Sequence, residues 1–264
     1  MSDPTPRSGP FYLVDFGHGL GDPEWSALAR APGAVGAILK VSQGTKVYRS
    51  WFDAHWRACA RAGGDRFGAT WFRGAYVFGT PYDGARQADV AIDAIEAAGG
   101  WGDGDMPLAW DIEGAAWNDD KSLRRLVSQA FAARVRVRTG RAPMLYANGD
   151  IGIGPEDGFD TMWTPHPRRL ASWPASRFRI YQYAGLNDGH VSYYDPSGPA
   201  AARGLPLRFP GFGSSHGVDV NVVLDGHRGR VLTDVRRLRH VLTGKSDSAA
   251  TLAALAILGA LVAL

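Results

Sequence analysis

Leu108-Ala109-Trp110-Asp111-Ile112-Glu113 is a short apolar run that rises out of a Gly/Asp-rich loop and ends in two acids. As a strand its side chains alternate, so Asp111 and Glu113 share one face while Trp110 and Ile112 take the other. At about 3.4 Å rise per residue the two Cα atoms lie roughly 7 Å apart. Coulomb's law at an effective dielectric of about 20 gives roughly 2 kcal/mol at that separation, between one and two pKa units. One acid can then stay ionised while its neighbour keeps a proton near neutrality. Glycosidic bond cleavage needs that division: a proton donor for the leaving oxygen and an anion facing the developing positive charge. Taken alone, the stretch fits equally well a strand end that carries two solvated acids.

Outward from this stretch the chain alternates. Phe11 to Phe16 reads as a first strand, closed by Gly17-His-Gly-Leu-Gly and leaving Asp15 near its carboxyl end. A short helix follows from Pro23 to Arg30, then the continuous apolar strand Val35 to Val41, then an amphipathic helix from Ser50 to Ala62 with Phe52, Trp56 and Cys59 on its inner face. Gly74 to Gly79 is the third strand, and Gly84 to Ala98, with Ala88, Ile92 and Ile95 at helical spacing, is the third helix. Beyond Glu113 the pattern predicts a long helix from Lys121 to Arg138, stopped by Gly140 and Pro143, and a strand from Met144 to Ala147. Phe159 to Trp163, Phe178 to Tyr183 and Gly217 to Val223 supply strands six to eight. The segment from Gly185 to His216 is long for a connection; it carries Tyr193, Tyr194, Phe209, Phe212 and His216, which either line a groove or pack on one another.

Alternating apolar strands and helices imply parallel pairing, and eight strands imply closure into an α/β architecture, an irregular (β/α) TIM-like barrel whose second half is poor in helix. In such barrels the reacting groups sit at the carboxyl ends of strands, and Asp15, Asp111, Glu113 and Asp219 all occupy strand-end positions. Four acids from three strands then converge on one rim.

Composition narrows the class further. With 264 residues, 45% hydrophobic and 11% aromatic, the chain can bury a sizeable core. The net charge is +3, and the basic side is nearly all arginine, Lys40, Lys46, Lys121 and Lys245 being the lysines. A sequence pI near 9.1 suits a polyanionic partner such as a cell envelope, although the acids are interspersed. Arg134-Val-Arg136-Val-Arg138 reads as the solvated side of a helix, and no nucleic-acid motif is present. Cys59 stands alone, so no intramolecular disulfide and no thiolate metal cluster is expected. His18, His55, His166, His190, His216, His227 and His240 show no metal-ligand spacing, and no cofactor motif appears.

Taken in order, Val14-Asp15, Lys40-Val-Ser-Gln-Gly44, Gly74-Ala-Tyr-Val-Phe78, Ala109-Trp-Asp-Ile-Glu113, Leu145-Tyr146, Tyr181-Gln-Tyr183 and Val218-Asp-Val-Asn221 resemble the family 25 glycoside hydrolases, lysozymes that cut peptidoglycan as N-acetylmuramidases. The resemblance implies Glu113 as proton donor, Asp111 as the partner that positions or stabilises the N-acetylated sugar, and Asp15 and Asp219 as supporting acids. It implies Gln182 and Asn221 as substrate-binding residues. Tyr76, Tyr146 and Trp163 are candidate stacking surfaces for sugar rings, or plain barrel packing, whereas Trp110 points away from both acids. The chain departs from the family's pattern at Gln43, where Glu is frequent, and at Val77, where His is frequent. The expected partner is the peptidoglycan glycan strand, and the expected reaction goes with retention and assistance from the substrate's acetamido group. A chitinase-like barrel would need further Asp residues where Met106 and Ala109 stand. The non-enzymatic alternative is a weak or inactive glycan-binding barrel within a larger phage-like or envelope assembly.

The chain's last part is read separately from the barrel of residues 1–243. Residues 244–248 read as a linker, and Ala249 to Leu264 as a helix that is apolar on every face, which must be covered by lipid, by a partner protein or by its own barrel. The amino terminus lacks a basic-then-apolar pattern, so no signal peptide is expected, and action on an envelope requires membrane association through that helix or delivery by lysis or a particle.

Overall fold

A computed structural model describes residues 11–18, 22–68, 70–113, 117, 120–147, 151–164, 173–174, 177–187, 190–194, 218–223 and 235–243. Its strands are β1 (Tyr12–Phe16), β2 (Ala34–Gln43), β3 (Lys46–Val47), β4 (Phe72–Phe78), β5 (Ala109–Asp111), β6 (Met144–Tyr146), β7 (Thr161–Thr164), β8 (Phe178–Asn187), β9 (His190–Tyr194) and β10 (Val218–Val223). The helices are α1 (Trp25–Arg30), α2 (Arg49–Gly63), α3 (Gly84–Ala97), α4 (Lys121–Thr139) and α5 (Val235–Thr243). The result is an α/β fold around one curled sheet. Neighbouring strands run β1-β2-β4-β5-β6-β7-β8-β10, and β10 pairs back onto β1. From β1 to β8 each of these pairs is parallel, whereas β10 is antiparallel to both β8 and β1.

That antiparallel strand corrects the sequence expectation of parallel pairing throughout. It also changes why Asp219 reaches the rim. Asp219 is the second residue of β10, so in a parallel strand it would lie at the opposite end; because β10 is reversed, it stands opposite Asp15 near the carboxyl end of β1.

Period-two alternation sorts the side chains into two cores. Inside the curl lie Phe11, Leu13, Ile38, Phe72, Tyr76, Met106, Ala109, Met144, Tyr146, Trp163, Ile180 and Val223, with Val241 and Leu242 of α5 packed among them. Outside, Val14, Leu39, Val77, Trp110 and Leu145 face Phe52, Trp56, Ile92, Ile95 and Phe131 of the helices. Trp110 stacks on Phe131 with ring centroids 4.2 Å apart and donates its indole N–H to Ser128 Oγ at 2.9 Å, so it points away from the acids as expected. Asp83 and Asp120 cap α3 and α4 by accepting from the amides of Arg86 and Leu123, and Gly140 closes α4 in the left-handed region.

Three local expectations change. β5 is only three residues long, because its ladder with β4 ends at the Phe78 and Asp111 pair and Gly79 N donates to Asp111 O at 2.8 Å. Arg134 and Arg138 are not merely solvated: both pair with Asp89, and Arg138 also reaches Asp93 and Glu96, tying α4 to α3. The start of the long 185–216 segment is a hairpin, β8 continuing to Asn187 and pairing antiparallel with β9. Phe209, Phe212, His216, the 244–248 linker and the apolar 249–264 tail lie outside the described residues. Among the described residues no helix is long and apolar enough to cross a membrane.

At the other end of the sheet, Arg73 and Asp105 form a buried bidentate pair, Nε to Oδ1 at 2.6 Å and an Nη to Oδ2 at 2.7 Å. The guanidinium also lies 3.6 Å from the Trp56 ring centroid and donates to Trp56 O, while Asp105 accepts from Gly102 N. This knot joins β4, α2 and the loop that feeds β5. Cys59 packs beside it, fully buried, and burial pushes its thiol up to about 12, which makes it an inert small hydrophobe. Removing one partner of such a pair strands the other charge away from water. Asp105→Asn is expected to lower unfolding stability by about 3–5 kcal/mol in a urea titration, and a loss under about 1 kcal/mol would show that the knot contributes no more than a surface pair.

Candidate active site

The carboxyl-end rim is assembled from inward-facing positions of neighbouring strands. Asp111 follows inward Ala109 on β5 and is 5% exposed; Asp15 follows inward Leu13 on β1 and is 6% exposed. Ile112 N still donates to Tyr146 O at 3.1 Å, so the extended course of β5 carries on past its ladder and brings Glu113 to the same opening as a half-buried side chain. On the far side of the opening Asn221 of β10 donates to Asp15 Oδ2 at 2.5 Å and accepts the indole N–H of Trp163 at 2.7 Å. Gln182 is buried on β8 directly opposite Asn221 in the ladder.

Of the residues expected from sequence, Asp15, Asp111, Tyr76, Tyr146, Trp163, Gln182 and Asn221 therefore lie on the inner face around one opening, with Glu113 at its edge. Asp219 joins them by backbone register, opposite Asp15. The three aromatics pack on one another: Trp163 meets Tyr146 at 4.6 Å and Tyr76 at 6.0 Å, both edge to face. All three are at most 9% exposed, so they form the wall and floor of the opening with little ring surface free for stacking.

Lys40 was not among the residues expected to act. It stands on the inner face of β2, opposite Tyr76 in the parallel ladder, and its ammonium lies within the fields of both Asp111 and Glu113. Its Nζ donates to Gln43 Oε1 at 3.0 Å and sits 4.4 Å from the Phe78 ring centroid. Gly17 makes room for it, since a Cβ there would come within 3.3 Å of Lys40 Cδ and 3.6 Å of the Tyr76 hydroxyl. The sequence signal was available in principle: a lysine, rare in this arginine-rich chain, at the carboxyl end of an apolar strand.

The electrostatics of the pair differ from the sequence estimate, which assigned a raised donor pKa to the charge of Asp111. Burial is the main cause that raises Glu113 above the ordinary carboxyl value, and the Lys40 cation opposes it. Lys40 itself is lowered, first by its own burial, with the anions Asp111 and Glu113 acting the other way. This end of the sheet thus holds a desolvated carboxyl group that keeps its proton to higher pH, a second acid on the same face, and a cation whose field reaches both. No group of three or more His, Cys, Asp or Glu among the described residues could hold a metal ion.

Comparison with known proteins bears on the fold and the family. A match to the family described as Glycosyl hydrolases family 25 covers residues 14–184, from the middle of β1 through most of β8. The chain is 34% identical over 129 residues to the N,O-diacetylmuramidase of Chalaropsis sp., a match that spans 46% of this chain and 58% of that protein. Among solved structures it is similar to the bacterial lysozyme from Streptomyces coelicolor, with a TM-score of 0.61 at 22% identity over 90% of this chain and 98% of that one. It is also similar to the muramidase from Trichobolus zukalii, with a TM-score of 0.59 at 19% identity over 89% of this chain and 100% of that one. These likenesses share the curled sheet, and the sequence match carries the Asp111 and Glu113 stretch within it: the chain belongs to glycosyl hydrolase family 25.

Proposed function

We propose that the chain is a peptidoglycan hydrolase of the lysozyme type, a muramidase that cleaves the glycosidic bond between N-acetylmuramic acid and N-acetylglucosamine. The observation that carries this reading is the half-buried Glu113, its proton held to higher pH by desolvation, on the end of the sheet where Asp111 and Lys40 also lie. In this scheme Glu113 protonates the leaving glycosidic oxygen. Asp111 orients the substrate's acetamido group, whose oxygen closes on the anomeric carbon and so gives retention, and its charge balances the oxocarbenium-like transition state. Glu113 then takes a proton from the attacking water. Asp15, held by Asn221, and Asp219 support the acidic character of the opening, while Gln182 and Asn221 serve as polar contacts and Tyr76, Tyr146 and Trp163 as the apolar wall of the sugar site. The family membership and the name of the 34% identical relative support the substrate class.

Glu113→Gln is expected to abolish the clearing of a peptidoglycan suspension while the protein stays folded, because the amide keeps the shape and loses the transferable proton. Asp111→Asn is expected to lose about 100-fold or more in rate, the scale of a lost transition-state charge contact. Wild-type turnover in Glu113→Gln would refute the assignment. Unaltered glycan affinity with no turnover in any form, wild type included, would favour a binding-only barrel.

The pH profile gives a second test. Activity needs Glu113 protonated and Asp111 ionised, so it falls at high pH as Glu113 loses its proton and at low pH as Asp111 gains one. Lys40 stabilises both anions. Lys40→Met should therefore move both limbs of the kcat/KM profile to higher pH; a profile that stays in place would remove Lys40 from the electrostatics. Stability follows the same proton. The folded state holds the Glu113 proton above the ordinary value of 4.5, so it binds more protons than the unfolded chain, and stability declines as pH rises through that window. Glu113→Gln should lack this decline in chemical denaturation at a series of pH values.

Residues 249–264 belong to a further part of the proposal, as a segment that associates with a membrane or an assembly partner. In a flotation experiment with liposomes the full chain should float and a chain ending at Ser246 should not. Equal behaviour of the two would assign the segment to protein contacts.

A further inference from the structure

Beside the acids, the rim turns basic. The β2–β3 hairpin, in which Gln43 stands opposite Lys46, projects from the same edge as Lys40. His18, just past β1, stacks on Tyr48 with ring centroids 3.3 Å apart and planes at 20°, and Lys46 Nζ lies 5.2 Å from the Tyr48 ring centroid. His18 and Lys46 are exposed. Among the described residues neither Lys40 nor Lys46 has a carboxylate within ion-pair distance; the hairpin position next to Lys40 is the neutral Gln43, which only accepts a hydrogen bond from it. The charges of Lys40 and Lys46 reach the His18 ring and, after burial, lower its proton affinity. Among the described residues the charges that act on one another here are those of His18, Lys40 and Lys46, with Asp111 and Glu113 acting on Lys40.

The hairpin is held rigidly enough to present these groups. Gly44 N donates to Phe78 O at 2.9 Å, and Gly44, at φ +57°, lies so close to Thr80 that an added Cβ would come within 2.7 Å of its Oγ1. Thr80 is in turn fixed to Gln87 Oε1 through its amide at 3.0 Å and its hydroxyl at 3.2 Å. A site built on fixed backbone loses less entropy on binding than one built on a free loop.

We propose that His18, Lys46 and Tyr48, continuing the line of Lys40 along the rim, form a subsite for a carboxylate carried by the muramyl residue. The inference rests on the muramidase reading of the acids. A glycan strand alternates neutral N-acetylglucosamine with muramic acid, whose lactyl group or stem peptide carries negative charge. The acids at the cleavage point repel that charge, so a substrate can place its scissile bond there only if its anionic substituent points to a region of opposite sign. The hairpin edge is such a region. Lys46 supplies the cation, the His18 ring a hydrogen-bond donor, and the Tyr48 face the support that keeps both in place.

The test is binding, so that it reads independently of turnover. Glu113→Gln protein is titrated with sacculi stripped of secondary polymers, either native or with their carboxyl groups converted to amides, and the same is done for Glu113→Gln carrying Lys46→Gln or Lys46→Glu. On native sacculi Lys46→Gln should weaken binding about threefold and Lys46→Glu about tenfold, the range of one exposed charge contact and its reversal. Amidation should weaken the parent by a similar factor and abolish the difference among the three proteins. Glycan strands freed of stem peptides, with exposed lactyl carboxylates, distinguish the source: retained affinity assigns the subsite to the lactyl group, and lost affinity to the peptide. Equal affinity of the three proteins for native sacculi, or the same Lys46 effect on amidated sacculi, would overturn the proposal. Should wild-type protein release no new reducing ends, the hydrolase reading fails by itself, and the dependence of binding on Lys46 and on carboxylates still decides the subsite.

Discussion

The hydrogen bond from Asn221 to Asp15 crosses the seam at which the curled sheet closes, and the site depends on that seam. It joins residues 206 positions apart in sequence. A curled parallel sheet that stops short of closure leaves the N–H and C=O groups of its edges unpaired. Here β1 would be such an edge, and β10 covers it by entering in the reverse direction. The reversal sets two things together. It satisfies the edge, and it brings the first residues of β10, not its last, to the rim where β1, β2, β4 and β5 end. Asp219 and Asn221 are therefore neighbours of Asp15 because of strand direction.

Within the opening so formed, two opposed electrostatic effects set the state of Glu113. Desolvation favours the neutral acid, and Lys40 favours the anion. Burial prevails, so the group retains its proton beyond the usual carboxyl range while Asp111 lies nearly covered beside it. Such an arrangement works against folding stability at neutral pH, because an acid that ionises freely in the unfolded chain is held where its charge is poorly solvated. The Arg73 and Asp105 knot and the stacked Trp110 and Phe131 lie on the other end and the outer face of the same strands, where no chemistry competes with packing.

Much of this was legible in the sequence. Strand periodicity told inner from outer faces, so the opposite orientations of Trp110 and Asp111 followed from spacing alone, as did the inner faces of α2 and α3. Direction was not legible: Val218 to Val223 has the same alternation whichever way it runs, and only the ladder shows that it is antiparallel. Short pairings escaped for a related reason, since two residues of β3 or three of β5 carry too little pattern to mark their ends. Lys40 was hidden by its place in an apolar strand, where a long side chain reads as the strand's end. Its importance comes from what faces it across β4, namely Asp111 and Glu113, and no local window contains both.

The central claim is that a desolvated Glu113 donates a proton to the bond on the reducing side of muramic acid. Its most direct measurement is the identity of the new reducing ends that wild-type protein releases from purified peptidoglycan, determined after borohydride reduction and acid hydrolysis. The account predicts muramicitol, with none formed by Glu113→Gln. Glucosaminitol, or muramicitol released equally by both proteins, would contradict it.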